Sequence, residues 1–316
     1  MEKRQLGDTE IRVAPLMFGG NVFGWTLDER QSFEMLDAFV AAGFDFIDTA
    51  DVYSRFIPGN QGGESETVLG NWLKARGNRD RIVLATKAGM DMGEGRKGLS
   101  KNWLQRAVED SLRRLQTDYI DLYQAHVDDP ETPLEETLET FAELIHQSKV
   151  RAIGASNYGA ERLARALETS DRLGLPRYQS LQPLYNLAER AAYEAELRAV
   201  CTREGLGVLP YFALASGFLT GKYRSETDLA GSARGDFVRQ HLNERGLRIL
   251  AALDQVAADC DATPARVALA WLIAQTTVTA PIASATSLRQ LDELVKATEL
   301  QLDGAALAKL DAASAA

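Results

Sequence analysis

The stretch whose reading decides the fold is Phe44-Asp45-Phe46-Ile47-Asp48-Thr49-Ala50-Asp51-Val52-Tyr53. It opens as a short apolar run of the kind a parallel sheet buries on both faces. It closes in a loop that carries an acid, Asp48, and then a phenol, Tyr53. Two later runs end in the same manner. Ile82-Val83-Leu84-Ala85-Thr86-Lys87 finishes in a lysine, and Tyr119-Ile120-Asp121-Leu122-Tyr123-Gln124-Ala125-His126 in a histidine.

Outward from these three, the pattern repeats. Apolar runs at 15–20, 44–48, 82–87, 119–126, 150–157, 178–182, 208–211 and 278–282 are predicted strands. Between them, apolar residues at helical spacing predict helices over 33–40, 64–73, 104–115, 134–147, 161–173, 191–203, 246–258 and 264–275. Eight short buried strands alternating with helices suit a closed (β/α)8 TIM barrel of the α/β class. An open doubly wound sheet using dinucleotides would show Gly-x-Gly-x-x-Gly after an early strand, and none is present. A polar run at 3–6, a Gly7-Asp8 turn and a run at 11–13 predict an N-terminal β-hairpin serving as lid or plug. Extra helices and loops are expected toward the C-terminal end, and residues 224–243, rich in Gly, Ser and charge, read as a mobile loop. No linker interrupts the pattern, so one domain is expected over residues 1–316.

Composition narrows the function. The 316 residues are 45% hydrophobic and 25% charged, enough for a sizeable core, and the net charge of -10 argues against a nucleic-acid or anionic-membrane partner. Cys201 and Cys260 have no metal-ligand spacing and read as two buried thiols in a reducing compartment. With only His126, His146 and His241 available, no metal site is expected. The first residues carry no apolar signal region and no run is apolar enough to span a membrane, so a cytoplasmic location is expected.

In a parallel barrel all strand ends emerge on one face, so Asp48, Tyr53, Lys87 and His126 should converge there. Singly, each has an ordinary explanation: a cap, rim packing, a solvated amine, a structural imidazole. Together on adjacent strands they form equipment for moving a proton. A nearby ammonium would lower a phenol's pKa, a carboxylate would hold that ammonium, and a histidine would donate to a carbonyl oxygen gaining charge. No nucleophilic serine or cysteine accompanies the set.

Over nearly its whole length the chain resembles the aldo-keto reductase superfamily, in its bacterial branch. The resemblance rests on Asp48-Thr49-Ala50-Asp51-Val52-Tyr53, Gly63-Glu64-Ser65-Glu66, Thr86-Lys87 and Asp121-Leu122-Tyr123 with His126. It continues through Gly154-Ala155-Ser156-Asn157, Gln182-Pro183-Leu184-Tyr185-Asn186, Tyr211 and Gly217-Phe218-Leu219-Thr220-Gly221-Lys222-Tyr223. It implies Tyr53 as general acid/base, Lys87 and Asp48 as its tuners, and His126 as orienter of a substrate carbonyl. It also implies a nicotinamide cofactor held without a dinucleotide-binding domain. Ser156, Asn157 and Gln182 would hold the carboxamide and Tyr211 would stack on the ring. Leu214, Ser216, Gly217 and Lys222 would line the pyrophosphate, with Gly20 at the end of the first strand admitting a close backbone approach. Ser284, Thr286, Arg289 and Gln290, opening the last barrel helix, would meet the adenosine phosphate.

That last segment departs from the pattern. Relatives preferring NADPH often place Lys or Arg early in it, whereas this chain reads Ile282-Ala283-Ser284-Ala285-Thr286-Ser287-Leu288-Arg289-Gln290, and Leu294 stands where Asn is expected. Ser284, Thr286 and Arg289, with Lys222 or Arg234, still suit a 2′-phosphate, and NADPH is expected over NADH. Phe23, Trp25 and Phe56 are expected to wall an apolar substrate pocket, while Asp128 and Asp129 read as a solvated loop. The expected function is reduction of an aldehyde or ketone to an alcohol, or the reverse, on a small-molecule substrate by a monomer. Two alternatives stay open: a cofactor-sensing binding subunit like the potassium-channel β subunits, which share this fold, and an NAD-dependent sugar or alcohol dehydrogenase.

Overall fold

The computed structural model describes residues 2–232 and 234–315. A two-stranded hairpin, β1 (Arg4–Gln5) and β2 (Arg12–Val13), precedes eight parallel strands. These are β3 (Met17–Gly19), β4 (Phe46–Asp48), β5 (Val83–Ala88), β6 (Ile120–Ala125), β7 (Val150–Ser156), β8 (Ser180–Gln182), β9 (Gly207–Val208) and β10 (Ile282–Ala283). Neighbours pair in chain order from β3 to β9, and β10 pairs with β3. The ring closes where Val208 bridges Val278, through Val208 N to Thr277 O (3.2 Å), Thr279 N to Val208 O (2.9 Å) and Ile282 N to Pro210 O (2.8 Å). The expected (β/α)8 architecture is present.

The last two strands are shorter than the apolar runs suggest. Pro210 and Pro281 interrupt them, and a proline has no N–H to donate to a ladder.

The helices that wrap the ring are α1 (Glu29–Ala41), α2 (Glu64–Arg76), α3 (Lys101–Leu115), α4 (Leu134–His146), α5 (Ala160–Leu173), α6 (Arg198–Glu204), α7 (Gly235–Arg239), α8 (Glu244–Asp259), α9 (Pro264–Ile273), α10 (Leu288–Ala297) and α11 (Gly304–Ser314). Their starts follow from their sequences. Asp28 and Gln31 form a reciprocal capping box on α1, Asn243 caps α8, and Thr263 with Pro264 opens α9. The continuous helix expected over 191–203 is instead a π-helical turn, Tyr193–Leu197, running into α6. Gly70 of α2 is required by packing, because a Cβ there would stand 2.0 Å from Arg114 O in α3.

The interior divides into two clusters. One lies between sheet and helices; the other fills the barrel with Met17, Phe46, Ala85, Leu122, Ala152, Leu209, Ala280 and Ile282. Leu6, Ile11 and Val13 of the hairpin join the second cluster, so the hairpin is a plug. Residues 224–243, apart from Ala233, which lies outside the described residues, are more regular than expected. They hold a 3-10 turn, Glu226–Leu229, and α7, tied down by Arg239 to Glu226 and Arg224 to Asp254. No helix among the described residues is long and apolar enough to cross a membrane.

Candidate active site

Alternation along a strand sends successive side chains to opposite faces. In β5, Ala85 faces the barrel interior, and so does Lys87; Leu84 faces the helices, and so does Thr86, which bonds Glu66 of α2. Register then sets Asp48 beside Ala85 and Lys87 beside Gln124, bringing the ends of β4, β5 and β6 together. Lys87 and Asp48 are buried, and the Lys87 ammonium places all three of its protons. Nζ donates to Asp48 Oδ2, Tyr53 Oη and Thr49 O, each at 2.8 Å. The Tyr53 hydroxyl in turn donates to Asp48 Oδ2 at 3.1 Å. His126, just past β6, turns its ring edge-on to Tyr53, with centroids 6.0 Å apart.

Local structure holds Tyr53 there. The turn after β4 is closed by Tyr53 N to Ala50 O at 3.3 Å and anchored by Asp51 N to Lys87 O at 3.1 Å. The Ser54 hydroxyl donates to Phe23 O (2.7 Å), and Asn60 Nδ2 to Gly24 O (3.2 Å), so this loop is pinned to the one after β3.

The electrostatics differ from the expectation in one respect. Burial, followed by the charge and hydrogen bond of Asp48, pushes the Tyr53 phenol well above its ordinary value. The ammonium does not prevail against that burial and against the carboxylate it pairs with, which touches the same hydroxyl. Burial likewise lowers Lys87, against the opposing pull of Asp48. Burial and then the Lys87 charge hold His126 well below 6.5, so its imidazole is neutral at neutral pH. The resting site is a protonated phenol beside a buried ion pair and a neutral ring. Asp51, from the same turn, is a separate case: it is buried, neither of its carboxylate oxygens has a partner among the described residues, and burial followed by Glu66 raises its carboxyl well above the carboxylate range.

Gln182, at the end of β8, donates to Asp48 Oδ1 at 3.1 Å. Ser156 Oγ donates to Gln182 O (2.9 Å), Asn157 Nδ2 to His126 O (2.9 Å), and Tyr211 Oη to Asn157 Oδ1 (2.8 Å). The four residues expected around a carboxamide and ring thus form one chain of hydrogen bonds ending on the tetrad. Gly20 packs against it; a Cβ there would lie 2.8 Å from Asp48 O. Past Tyr211 the chain makes a left-handed turn, with Phe212, Ala215, Ser216 and Gly217 at φ of 52°, 47°, 56° and 98°. Among the described residues, no carbonyl or side chain accepts from the N–H groups of Ala213 and Leu214. Lys222 Nζ stands 4.7 Å from the Tyr223 ring. Burial would raise the Tyr223 phenol, but Ser232, Lys222 and Arg234 together bring it down.

Ser284 bonds Gly19 O and Asn21 Oδ1, both at 2.7 Å, and so sits at the end of β3. Gln290 Oε1 accepts from Thr286 N (2.8 Å) and Oγ1 (3.0 Å) at the start of α10, where Arg289 is exposed.

Of the expected pocket aromatics, Phe23 is corrected. It is fully buried and stacked on Phe18, centroids 5.6 Å apart, because the short 3-10 turn after β3 folds it into the core. Trp25 and Phe56 do meet, edge-on at 5.0 Å, with Phe56 65% exposed and Arg234 lying 5.3 Å from the Trp25 ring. Asp129 is not merely solvated: it accepts from Leu99 N (2.7 Å) and Thr132 Oγ1 (2.7 Å), and Asp128 pairs with Arg162 (2.8 Å). Cys260 is half-buried, whereas Cys201 is buried with its thiol pushed up to about 12. Two residues outside the sequence expectations matter here. Ser65 Oγ donates to Gly20 O at 2.7 Å, and Asn186 bonds the Phe212 carbonyl; Ser65 lies in the Gly63-Glu64-Ser65-Glu66 motif and Asn186 closes Gln182-Pro183-Leu184-Tyr185-Asn186.

Comparison with known proteins gives a consistent result. Residues 15–315 match the model of the aldo/keto reductase family. The uncharacterized oxidoreductase YrpG of Bacillus subtilis is 34% identical, covering 96% of this chain and 93% of its own. Protein tas of Escherichia coli is 32% identical over 99% of this chain and 97% of its own. A probable voltage-gated potassium channel subunit beta of Arabidopsis thaliana is 31% identical over 95% and 92%.

Proposed function

Given that the chain belongs to the aldo/keto reductase family, a family of oxidoreductases, we propose that it reduces an aldehyde or ketone to an alcohol, or runs the reverse, with a nicotinamide cofactor and Tyr53 as general acid/base. The observation that carries this is the triangle of Asp48, Lys87 and Tyr53, closed at 2.8, 2.8 and 3.1 Å with His126 edge-on to the phenol.

The residues fit such a cofactor. Hydroxyl, amide and phenol groups of Ser156, Asn157, Gln182 and Tyr211 lie in a bonded row beside the tetrad, suited to a carboxamide and an aromatic ring. The left-handed turn leaves two N–H groups unengaged beside Ser216, Gly217 and Lys222, as a pyrophosphate requires. When bound, the nicotinamide supplies the reducing equivalent. The chain's own residues do the rest. Tyr53 delivers its proton to the carbonyl oxygen, and the Lys87 ammonium, already at 2.8 Å, stabilises the phenolate left behind. Asp48 holds Lys87 charged despite its burial. The neutral His126 ring donates an N–H to the same carbonyl oxygen and orients it.

NADPH is favoured over NADH in this reading. Lys222, Arg234 and Arg289 offer cations for a 2′-phosphate, and Thr286 and Gln290 flank the start of α10, a further attraction for an anion. Trp25 and Phe56 form the apolar wall for the substrate. The likeness to potassium channel β subunits supports one second reading, a cofactor-sensing subunit without turnover. A screen of carbonyl compounds such as 4-nitrobenzaldehyde with NADPH and NADH separates them. Oxidation of NADPH upholds the reductase; tight cofactor binding with no turnover on any substrate overturns it in favour of the second.

A further inference from the structure

We infer that Asn186 is a positioning residue that sets how tightly the cofactor is held, by locking the peptide of Phe212 at the start of the left-handed turn. The inference rests on the reading that this turn lines the pyrophosphate.

Asn186 is fully buried and its amide is saturated. Oδ1 accepts from Ala188 N (2.8 Å) and Glu189 N (3.0 Å), closing a tight turn in its own loop. That turn needs only the acceptor half. The donor half does something else: Nδ2 donates to Glu189 Oε2 (3.1 Å) and, across 26 residues, to Phe212 O (3.0 Å). The Phe212 carbonyl also accepts from Ala215 N at 2.7 Å, so both its lone pairs are engaged and its plane is fixed.

The lock is needed where it stands. Phe212 holds φ of 52°, a region a bulky aromatic seldom occupies, yet its side chain is 44% exposed and gains little from burial. Strain of this kind persists only when the surroundings over-determine it. The surroundings here are Asn186, and behind it Arg245 of α8, whose Nη1 donates to Ala188 O at 2.7 Å. A rigid path therefore runs from α8 through the 186–189 loop to the peptide that starts the turn. Tyr211, one residue before, is held from the same loop by its N–H to Pro183 O at 3.0 Å. Loosening Phe212 frees the turn that follows it while leaving the tetrad, on β4 to β6, in place.

Asn186→Asp separates the two halves of the amide. It keeps both acceptor bonds of the local turn and removes both donations. Binding of NADPH and NADH to the full-length protein, followed by nicotinamide fluorescence, should weaken at least ~10-fold, the scale of losing one buried hydrogen bond. Turnover at saturating cofactor should stay within about 3-fold of wild type, because no proton-moving group shifts. Asn186→Asp combined with Glu189→Gln removes the new carboxylate–carboxylate repulsion and should recover melting temperature, yet leave binding weakened. Wild-type affinity in either variant would overturn the inference and leave the cofactor reading standing. A wild-type protein that binds neither nucleotide would overturn both.

Discussion

Gln182 and Asp48, 134 residues apart, meet across the barrel mouth, where Gln182 Nε2 donates to Asp48 Oδ1 at 3.1 Å. The other carboxylate oxygen is taken by Lys87 and Tyr53. A residue suited to gripping the cofactor amide is therefore also the anchor of the acid that positions the lysine. Gln182→Met should destabilise the protein by about 1–3 kcal/mol, the cost of leaving a buried acceptor short of a donor. It should also weaken cofactor binding. Thermal unfolding and fluorescence titration test the pair of effects; a variant altered in neither would show that the contact is idle.

Tyr53→Phe should lower carbonyl turnover by at least ~10²-fold with cofactor affinity nearly unchanged. The pH profile adds a sign. The phenol of Tyr53 is raised above 10.0 by burial and Asp48, and only its protonated form can act as the acid. Reductive turnover should therefore show no alkaline fall attributable to this group until the pH passes its ordinary value. A descending limb near pH 8 that disappears in Tyr53→Phe would contradict this.

Asp51 should make folding pH-dependent. Its carboxyl is raised well above 3.8 in the folded chain, so the fold binds a proton that the unfolded chain has already released. Stability from this site is present below about 3.8 and is lost as pH rises toward the folded value. Asp51→Asn should thus raise the melting temperature at neutral pH. Its advantage should shrink on acidification by about 1.4 kcal/mol per pH unit within that window. Melting curves between pH 4 and 8 decide it, and an advantage that grows toward acid would refute the assignment.

Gly70→Ala should destabilise by about 1–3 kcal/mol. The new methyl would press on backbone, at 2.0 Å from Arg114 O and 2.7 Å from Leu115 C, and backbone cannot turn aside as a side chain can. Chemical denaturation measures the loss, and an unchanged midpoint would mean that α2 and α3 can separate freely.

Much of this was legible in the sequence because the barrel strands are buried on both faces and so read as apolar runs. The 44–48, 82–87 and 119–126 runs placed Asp48, Lys87 and His126 at the ends of β4, β5 and β6. What was not legible depends on partners distant in sequence. Phe23 reads as a loop aromatic until Phe18 is known to lie beneath it. The rise in Tyr53 comes first from burial and then from the Asp48 carboxylate, one oxygen of which serves both the lysine and the phenol, a geometry that spacing cannot express. Asn186 shows only as an asparagine in a loop, since its importance lies in a carbonyl 26 residues away. The shortened β9 and β10 were foreshadowed by Pro210 and Pro281, whose missing donors the apolar pattern masks.

The closure of the ring at Val208 and Val278 gives the barrel an uneven stiffness. Three backbone hydrogen bonds fasten that seam, while β5, β6 and β7 are laced along their whole length. The hoop thus has a clasp, and the turn after Tyr211 hangs from it, whereas Lys87 and His126 sit on the welded side. A distortion at the clasp would therefore reach the turn after Tyr211 before it disturbed the 2.8 Å spacings that join Lys87 to Asp48 and Tyr53.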